Sequence, residues 1–332
     1  MRDQLEQLVE LGLHHQVTDF HFILYHESLR VMMRGRNGME EVQSALLDLR
    51  LFHYLKYIAN LDLGNCDKPQ SGSFPLDIHG QTLFFRFSLI TSFDKETGVL
   101  RVLNNHQNIT LDDLSSEKKQ TDVFRRWTRQ RSGLIILSGP TGSGKTTTLH
   151  ALLDEIAKIG KAKIMTLEDP IEIHDSRFVQ LAINECGGFT YEEGIRQLMR
   201  HDPDVIMIGE IRDSYTAKMA YRCALTGHMV FSSIHARTAS EALKRLQELG
   251  VDKQEWQHTL TAICAQRLFM RKNHEKERIC IYEILEGTKL QSVLENKEIF
   301  NHEDIEVKIR KAVEKQLISK TAAEGDLYAE AF

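Results

Sequence analysis

Two rhythms of apolar residues divide this chain. In DFHFILYHESLRVMMRG (19–35) and QTLFFRFSLIT (81–91) apolar and polar positions alternate, the period of strands that bury one face. Between them, LLDLRLFHYLKYIANLDLG (46–64) repeats its apolar residues at helical spacing. Residues 1–105 therefore predict a small N-terminal α+β domain in which two hairpin-like blocks flank one helix. The polar stretch NNHQNITLDDLSSEKKQ (104–120) has no apolar cluster, and 106–120 is expected to be a flexible linker.

From about residue 121 the rhythm changes. GLIILSG, AKIMTLED, DVIMIGE and MVFSSIHA are apolar at nearly every position and are separated by amphipathic stretches. A strand that is apolar on both sides needs cover on both faces, the setting of a mostly parallel sheet between helices. This α/β domain is expected over 121–290. After Leu268 the pattern weakens through MRKNHEKER and ICIYEIL. A C-terminal helical region follows over 291–332, its periodicity strongest over 303–322.

Composition narrows the function classes. With 332 residues, 42% of them apolar and 27% charged, the chain is a globular protein large enough for two cores. A formal charge of −5 sets up no global positive field, so direct DNA binding is not expected. No apolar run approaches the roughly 20 residues that cross a bilayer, and the opening MRDQLEQLVELGLHHQ lacks the apolar centre of a signal peptide. A cytoplasmic protein is expected. Cys66, Cys186, Cys223, Cys264 and Cys280 are odd in number and form no CxxC, which points to reduced thiols and away from disulfides or thiolate zinc.

Chemistry concentrates in the second domain. Gly139, Pro140, Thr141, Gly142, Ser143, Gly144, Lys145 and Thr146 complete the pattern GxxxxGK[ST], with Thr147 following. Glycines let successive N–H groups converge on phosphate oxygens, and the helix starting there adds the positive end of its dipole. Lys145 would neutralise the β- and γ-phosphates of ATP, and the Thr146 hydroxyl would ligate Mg²⁺. The preceding LIIL predicts a strand, and Leu149, Leu152, Leu153, Ile156 and Ile159 predict the buried face of the helix that follows.

Nucleotide binding alone is not hydrolysis, so acids at neighbouring strand ends matter. Glu168, Asp169 and Glu172 follow one apolar run and Glu210 follows another. Both sets fall at the C-terminal edge of the expected sheet, where open α/β folds bind ligands.

In this order, GPTGSGKT, LEDPIEI, DPDVIMIGEIRD and TGHMVFSSIHARTASEALKRL resemble the four signature blocks of the type II/IV secretion and type IV pilus ATPase superfamily. The likeness extends weakly to TDFHF and PQSGSF near the N-terminus. It implies a C-terminal RecA-like P-loop domain preceded by a PAS-like α+β domain. It implies an Mg²⁺-dependent ATPase in which Glu172 orients water, with Glu168 in reserve, and Glu210 serves the metal. His228 and His235 would sense the γ-phosphate, and Arg86 and Arg101 would reach the nucleotide from the small domain. It further implies a homo-oligomer, a hexameric ring acting on an inner-membrane platform protein from the cytoplasmic face.

Without CxxC or a further N-terminal domain, and with the tail EDIEVKIRKAVEKQLISK, the chain resembles most the competence branch of Gram-positive bacteria, which assembles a transformation pilus for DNA uptake. A pilus retraction ATPase or a type II secretion ATPase are the alternatives. A RecA-like DNA motor, or a scaffold that binds ATP without turnover, is more remote.

Overall fold

The computed structural model describes the chain except residues 16, 18, 36–37, 43–46, 65–68, 93, 104–108, 116, 185–187, 273–276, 296, 298–301 and 328–332. It separates into two compact units, Met1–His106 and Gln107–Phe332.

The first unit opens with helix α1 (Arg2–His14), then strands β1 (Asp19–Tyr25), β2 (Ser28–Gly35) and β3 (Gly38–Glu41). Helix α2 (Leu49–Ile58) leads to β4 (Gln70–Ile78), β5 (Gln81–Thr91) and β6 (Lys95–Leu103). The strands form one sheet in the order β3-β2-β1-β6-β5-β4, antiparallel at every junction. Alternation does its expected work: Phe20, Phe22, Leu24, Phe85, Phe87 and Leu100 turn inward, packed with Leu5 and Leu8 of α1 and Phe52 and Leu55 of α2. Phe22, Phe52 and Phe87 meet with ring centroids 5.8–6.3 Å apart, the tilted and edge-on contacts aromatic rings prefer. Gly98 makes room for them, since a Cβ there would lie 2.5 Å from the Phe87 ring.

The second unit begins with helices α3 (Leu111–Leu114) and α4 (Lys118–Trp127). Leu111, Leu114, Phe124 and Trp127 are buried in its core. The described part of 106–120 is thus partly helical and packed rather than a free linker; Leu111 and Leu114, the first and last residues of the single turn α3, supply the apolar contacts that a cluster-free sequence concealed. The unit continues with β7 (Gly133–Ser138), α5 (Lys145–Ile159), β8 (Ile164–Glu168), β9 (Val179–Ala182), α6 (Tyr191–Leu198), β10 (Val205–Ile208), α7 (Ser214–Leu225) and β11 (Met229–Ile234). Then come α8 (Ala239–Glu248), α9 (Lys253–Thr259), β12 (Leu260–Met270), β13 (Arg278–Glu286), α10 (Gly287–Leu294), α11 (Ile305–Glu314) and α12 (Lys320–Ala323).

Its sheet runs β13-β12-β7-β11-β10-β8-β9, parallel except where β13 pairs antiparallel with β12. Successive residues of the central strands enter opposite cores. Leu134, Ile136, Ile206 and Ile208 pack under α6, α7 and α8, whereas Ile135, Leu137, Val205 and Met207 pack under α4 and α5. Double burial is why those strands read as unbroken apolar runs. Ile159 is an exception to the expected helix face: at the last position of α5 it is exposed. The C-terminal pattern over 303–322 is two helices, α11 and α12, interrupted where Gln316 takes a positive φ of 60°. Cys223, Cys264 and Cys280 are free thiols; burial pushes Cys223 up to about 11 and Cys280 up to about 12. Cys66 and Cys186 lie outside the described residues.

A phosphate loop and its carboxylates

The loop 139–144 follows the C-terminal end of β7, an interior strand of the second sheet flanked by β12 and β11. Its shape requires glycine at two points. Gly139 has φ +152°, and a Cβ there would lie 2.5 Å from Ser143 Oγ and 2.6 Å from the Gln266 carbonyl oxygen. Gly144, at φ +87°, is the N-cap of α5 and offers no side chain to the first helical N–H groups. Those donors are left facing outward, a ready-made cradle for anions. Lys145 folds back over the loop, donating to the carbonyls of Gly139 at 2.9 Å and Pro140 at 3.0 Å.

A cavity of about 520 Å³ opens over this loop. Thr141, Gly142, Gly144, Lys145, Thr146 and Thr147 form its floor, and Glu168, Glu172, Glu210 and His235 stand in its walls. The parallel sheet explains the gathering: β7, β8, β10 and β11 all end at this edge. Gly139, Pro140 and Ser143 shape the loop from behind, with Ser143 buried.

The acids differ in what they touch. Glu168 is buried and its oxygens already accept from Thr166 Oγ1 at 2.6 Å and Gln180 Nε2 at 3.2 Å, with His150 Nε2 at 3.3 Å. Glu172 is exposed at the wall and makes no hydrogen bond or ion pair with other described residues. Glu210 lies 3.2 Å from His235 Nε2 and 3.2 Å from Arg212 Nε, and Arg212 reaches Asp169 at 3.1 Å. Burial lowers the Lys145 ammonium below its ordinary range; Glu210 and Glu172 oppose that shift, and Arg267 adds to it.

His228 is not part of this assembly. It precedes Met229, which pairs with Gly133 at the start of β7, so at about 3.3 Å per residue it lies roughly 20 Å from the phosphate loop. There its Nδ1 sits 2.9 Å from the Cys223 carbonyl at the end of α7, with Thr226 Oγ1 at 3.0 Å. A six-residue strand separates the two histidines and sends them to opposite edges of the sheet. Arg86 and Arg101 belong to the first unit, facing each other across the β5–β6 ladder. Arg86 donates to Ser71 Oγ at 2.7 Å and Arg101 to Asp19 at 2.6 Å.

Three further residues at or behind these walls were not singled out by the sequence pattern. Arg212 bridges two acidic segments, and burial with the nearby Asp169 charge holds the Tyr191 phenol well above its usual range. Gln266, fully buried on β12, donates to the Ser143 carbonyl at 2.7 Å. A Gln–Arg pair inside the apolar run TAICAQRLFM was the available clue.

The arrangement fits a magnesium nucleotide. Among the described residues no group of three or more His, Cys, Asp or Glu is placed to hold a metal by itself. Mg²⁺ in such sites takes one or two protein oxygens and leaves the rest to phosphates and water, and Thr146 and Glu210 share this cavity.

Residues 2–326 match the family model described as Type II/IV secretion system protein. The chain is similar to the competence protein ComGA of Bacillus subtilis, 37% identical over 262 residues and 74% of each chain. It is 35% identical to ComGA of Halalkalibacterium halodurans over 89% of this chain and 90% of that one. The type II secretion system ATPase E of Vibrio cholerae is 36% identical over 76% of this chain and half of its own length. In fold it is similar to the pilus retraction motor PilT with bound ADP, with a TM-score of 0.79 over 98% of this chain and 97% of that one at 24% identity. The chain belongs to the family of type II/IV secretion system proteins.

Proposed function

We propose that the chain is an Mg²⁺-dependent ATPase motor that drives assembly of a competence-type pilus for DNA uptake. The observation that supports it most is a single cavity holding a phosphate cradle, an unengaged carboxylate and a Glu–His pair. Lys145 and the first N–H groups of α5 hold the β- and γ-phosphates. Thr146 and Glu210 hold Mg²⁺, which when bound offsets phosphate charge. Glu172 orients a water and accepts its proton, and His235, tethered to Glu210, responds to the γ-phosphate.

Motion comes from the first unit, which we read as PAS-like beside a RecA-like second unit. Arg86 and Arg101 exchange Ser71 and Asp19 for the more highly charged γ-phosphate as the first unit closes on the nucleotide. Because Arg101 must leave Asp19, its net contribution is smaller than that of an unpaired arginine. Six copies form a ring, peripheral to the membrane, acting on a platform protein there. No described helix is long and apolar enough to cross the membrane itself. DNA is cargo of the machine and makes no contact with this chain.

The competence branch rests on the two ComGA relatives, which match most of the chain. Deleting the gene in its host should abolish the transformation pilus and DNA uptake, with the wild-type gene restoring both. Arg86→Ala or Arg101→Ala should restore them poorly, because turnover falls roughly 10- to 100-fold, the worth of one charged hydrogen bond. Extra, unretracted pili after deletion would establish the retraction reading instead.

A further inference from the structure

One buried cation lies outside the cavity and has contacts on three sides. Arg267 of β12 is only 5% exposed. Its Nε donates to Asp326 Oδ1 at 2.5 Å, its Nη1 to the Gln266 carbonyl at 3.0 Å and its Nη2 to the Arg237 carbonyl at 3.0 Å. A planar guanidinium can serve three acceptors at fixed angles, which a lysine cannot.

Each acceptor leads elsewhere. The Gln266 carbonyl packs against Gly139, where a Cβ would come within 2.6 Å of it, and the Gln266 side chain holds the Ser143 carbonyl. Both are residues of the phosphate loop. Arg237 lies two residues beyond His235, whose ring contacts Glu210, and the next turn is fixed where Ala239 N–H donates to the buried Glu283 at 3.1 Å. Asp326 comes from the C-terminal segment. Its N–H donates to the Ala323 carbonyl at 3.0 Å, and Ala323 is buried with Ile305, Ile309 and Ile318.

We propose that Arg267 is a positioning residue that locks the phosphate loop to the His235 segment, and that Asp326 sets this lock from the C-terminal segment. A buried guanidinium without a carboxylate is poorly compensated. Losing Asp326 would therefore loosen both carbonyl contacts together and disturb the Glu210–His235 pair more than the phosphate cradle. The C-terminal segment thereby becomes a place from which a bound partner adjusts turnover. This inference rests on the proposed ATPase reading.

The test is Asp326→Asn in the full chain, with Asp326→Glu as the conservative variant. In Asp326→Asn, kcat for ATP should fall roughly 10-fold while KM shifts by less than about threefold, a coupling of ordinary size. Amide exchange should speed up over both 139–147 and 235–239, and Asp326→Glu should recover most of both effects. Arg267→Lys, which keeps the charge but loses the fork, should show the same split. A kcat within about twofold of wild type, the lower end of such couplings, with faster exchange confined to α12, would overturn the proposal. Wild-type protein without turnover would contradict the ATPase reading; the exchange comparison would still decide the lock, because it needs no hydrolysis.

Discussion

Lys145→Ala should abolish productive ATP binding. Among the described residues the ammonium donates to the carbonyls of Gly139 and Pro140, at 2.9 and 3.0 Å, which are neutral acceptors that a phosphate oxygen outcompetes. Losing two charge-assisted hydrogen bonds of about 1.5–3 kcal/mol each should weaken affinity by roughly 10² to 10⁴. Titration with a fluorescent ATP analogue measures this. Retained affinity would mean that phosphates sit elsewhere. The lysine also sets a pH dependence. Burial lowers its folded-state affinity for a proton, so the charged form is disfavoured in the free site; an anionic phosphate reverses that and raises the affinity again. Binding therefore takes up protons, and nucleotide affinity should decline as pH rises through the lowered value.

Glu172→Gln should leave ATP affinity nearly unchanged and reduce turnover by roughly 10² to 10⁴, the usual worth of a general base. The choice between the two glutamates follows from their contacts. Glu168 has its oxygens occupied by Thr166 and Gln180 with His150 close by, under cover of the core. To accept a water proton it would first have to give up partners in a buried network. Glu172 carries no such commitments and faces the cavity. Glu168→Gln places an amide where an acceptor is needed and should lower the melting temperature, at a cost of about 1–3 kcal/mol for a buried mismatch. Near-normal turnover in Glu172→Gln together with collapse in folded Glu168→Gln would reverse the assignment.

What could be read directly from the chain is what depends on neighbours in sequence. The loop 139–146 is contiguous, and β7, β8, β10 and β11 announce themselves because both of their faces are buried. A parallel sheet then aligns their C-terminal ends, so Glu168, Glu210 and His235 meet without any further information. What stayed hidden depends on which distant strand lands beside β7. Gln266 and Arg267 support the loop only because β12 occupies that place; the polar pair inside an apolar run marks them as unusual, but their partner strand is not legible from residues near 266. His228 shows the opposite failure: its spacing from His235 spans a whole strand, and strand length, rather than closeness in sequence, decides that it caps α7 instead. The packed turn of α3 was concealed because two leucines alone do not make an apolar cluster until Phe124 and Trp127 fold over them.

The central claim is that this cavity hydrolyses ATP as part of an assembled ring. It is tested most directly by measuring phosphate release per subunit against protein concentration, with solution mass measured on the same samples. The account predicts Mg²⁺-dependent release that appears as the mass rises to that of a hexamer. Release that is independent of assembly, or a hexamer that binds ATP and releases no phosphate, would contradict it.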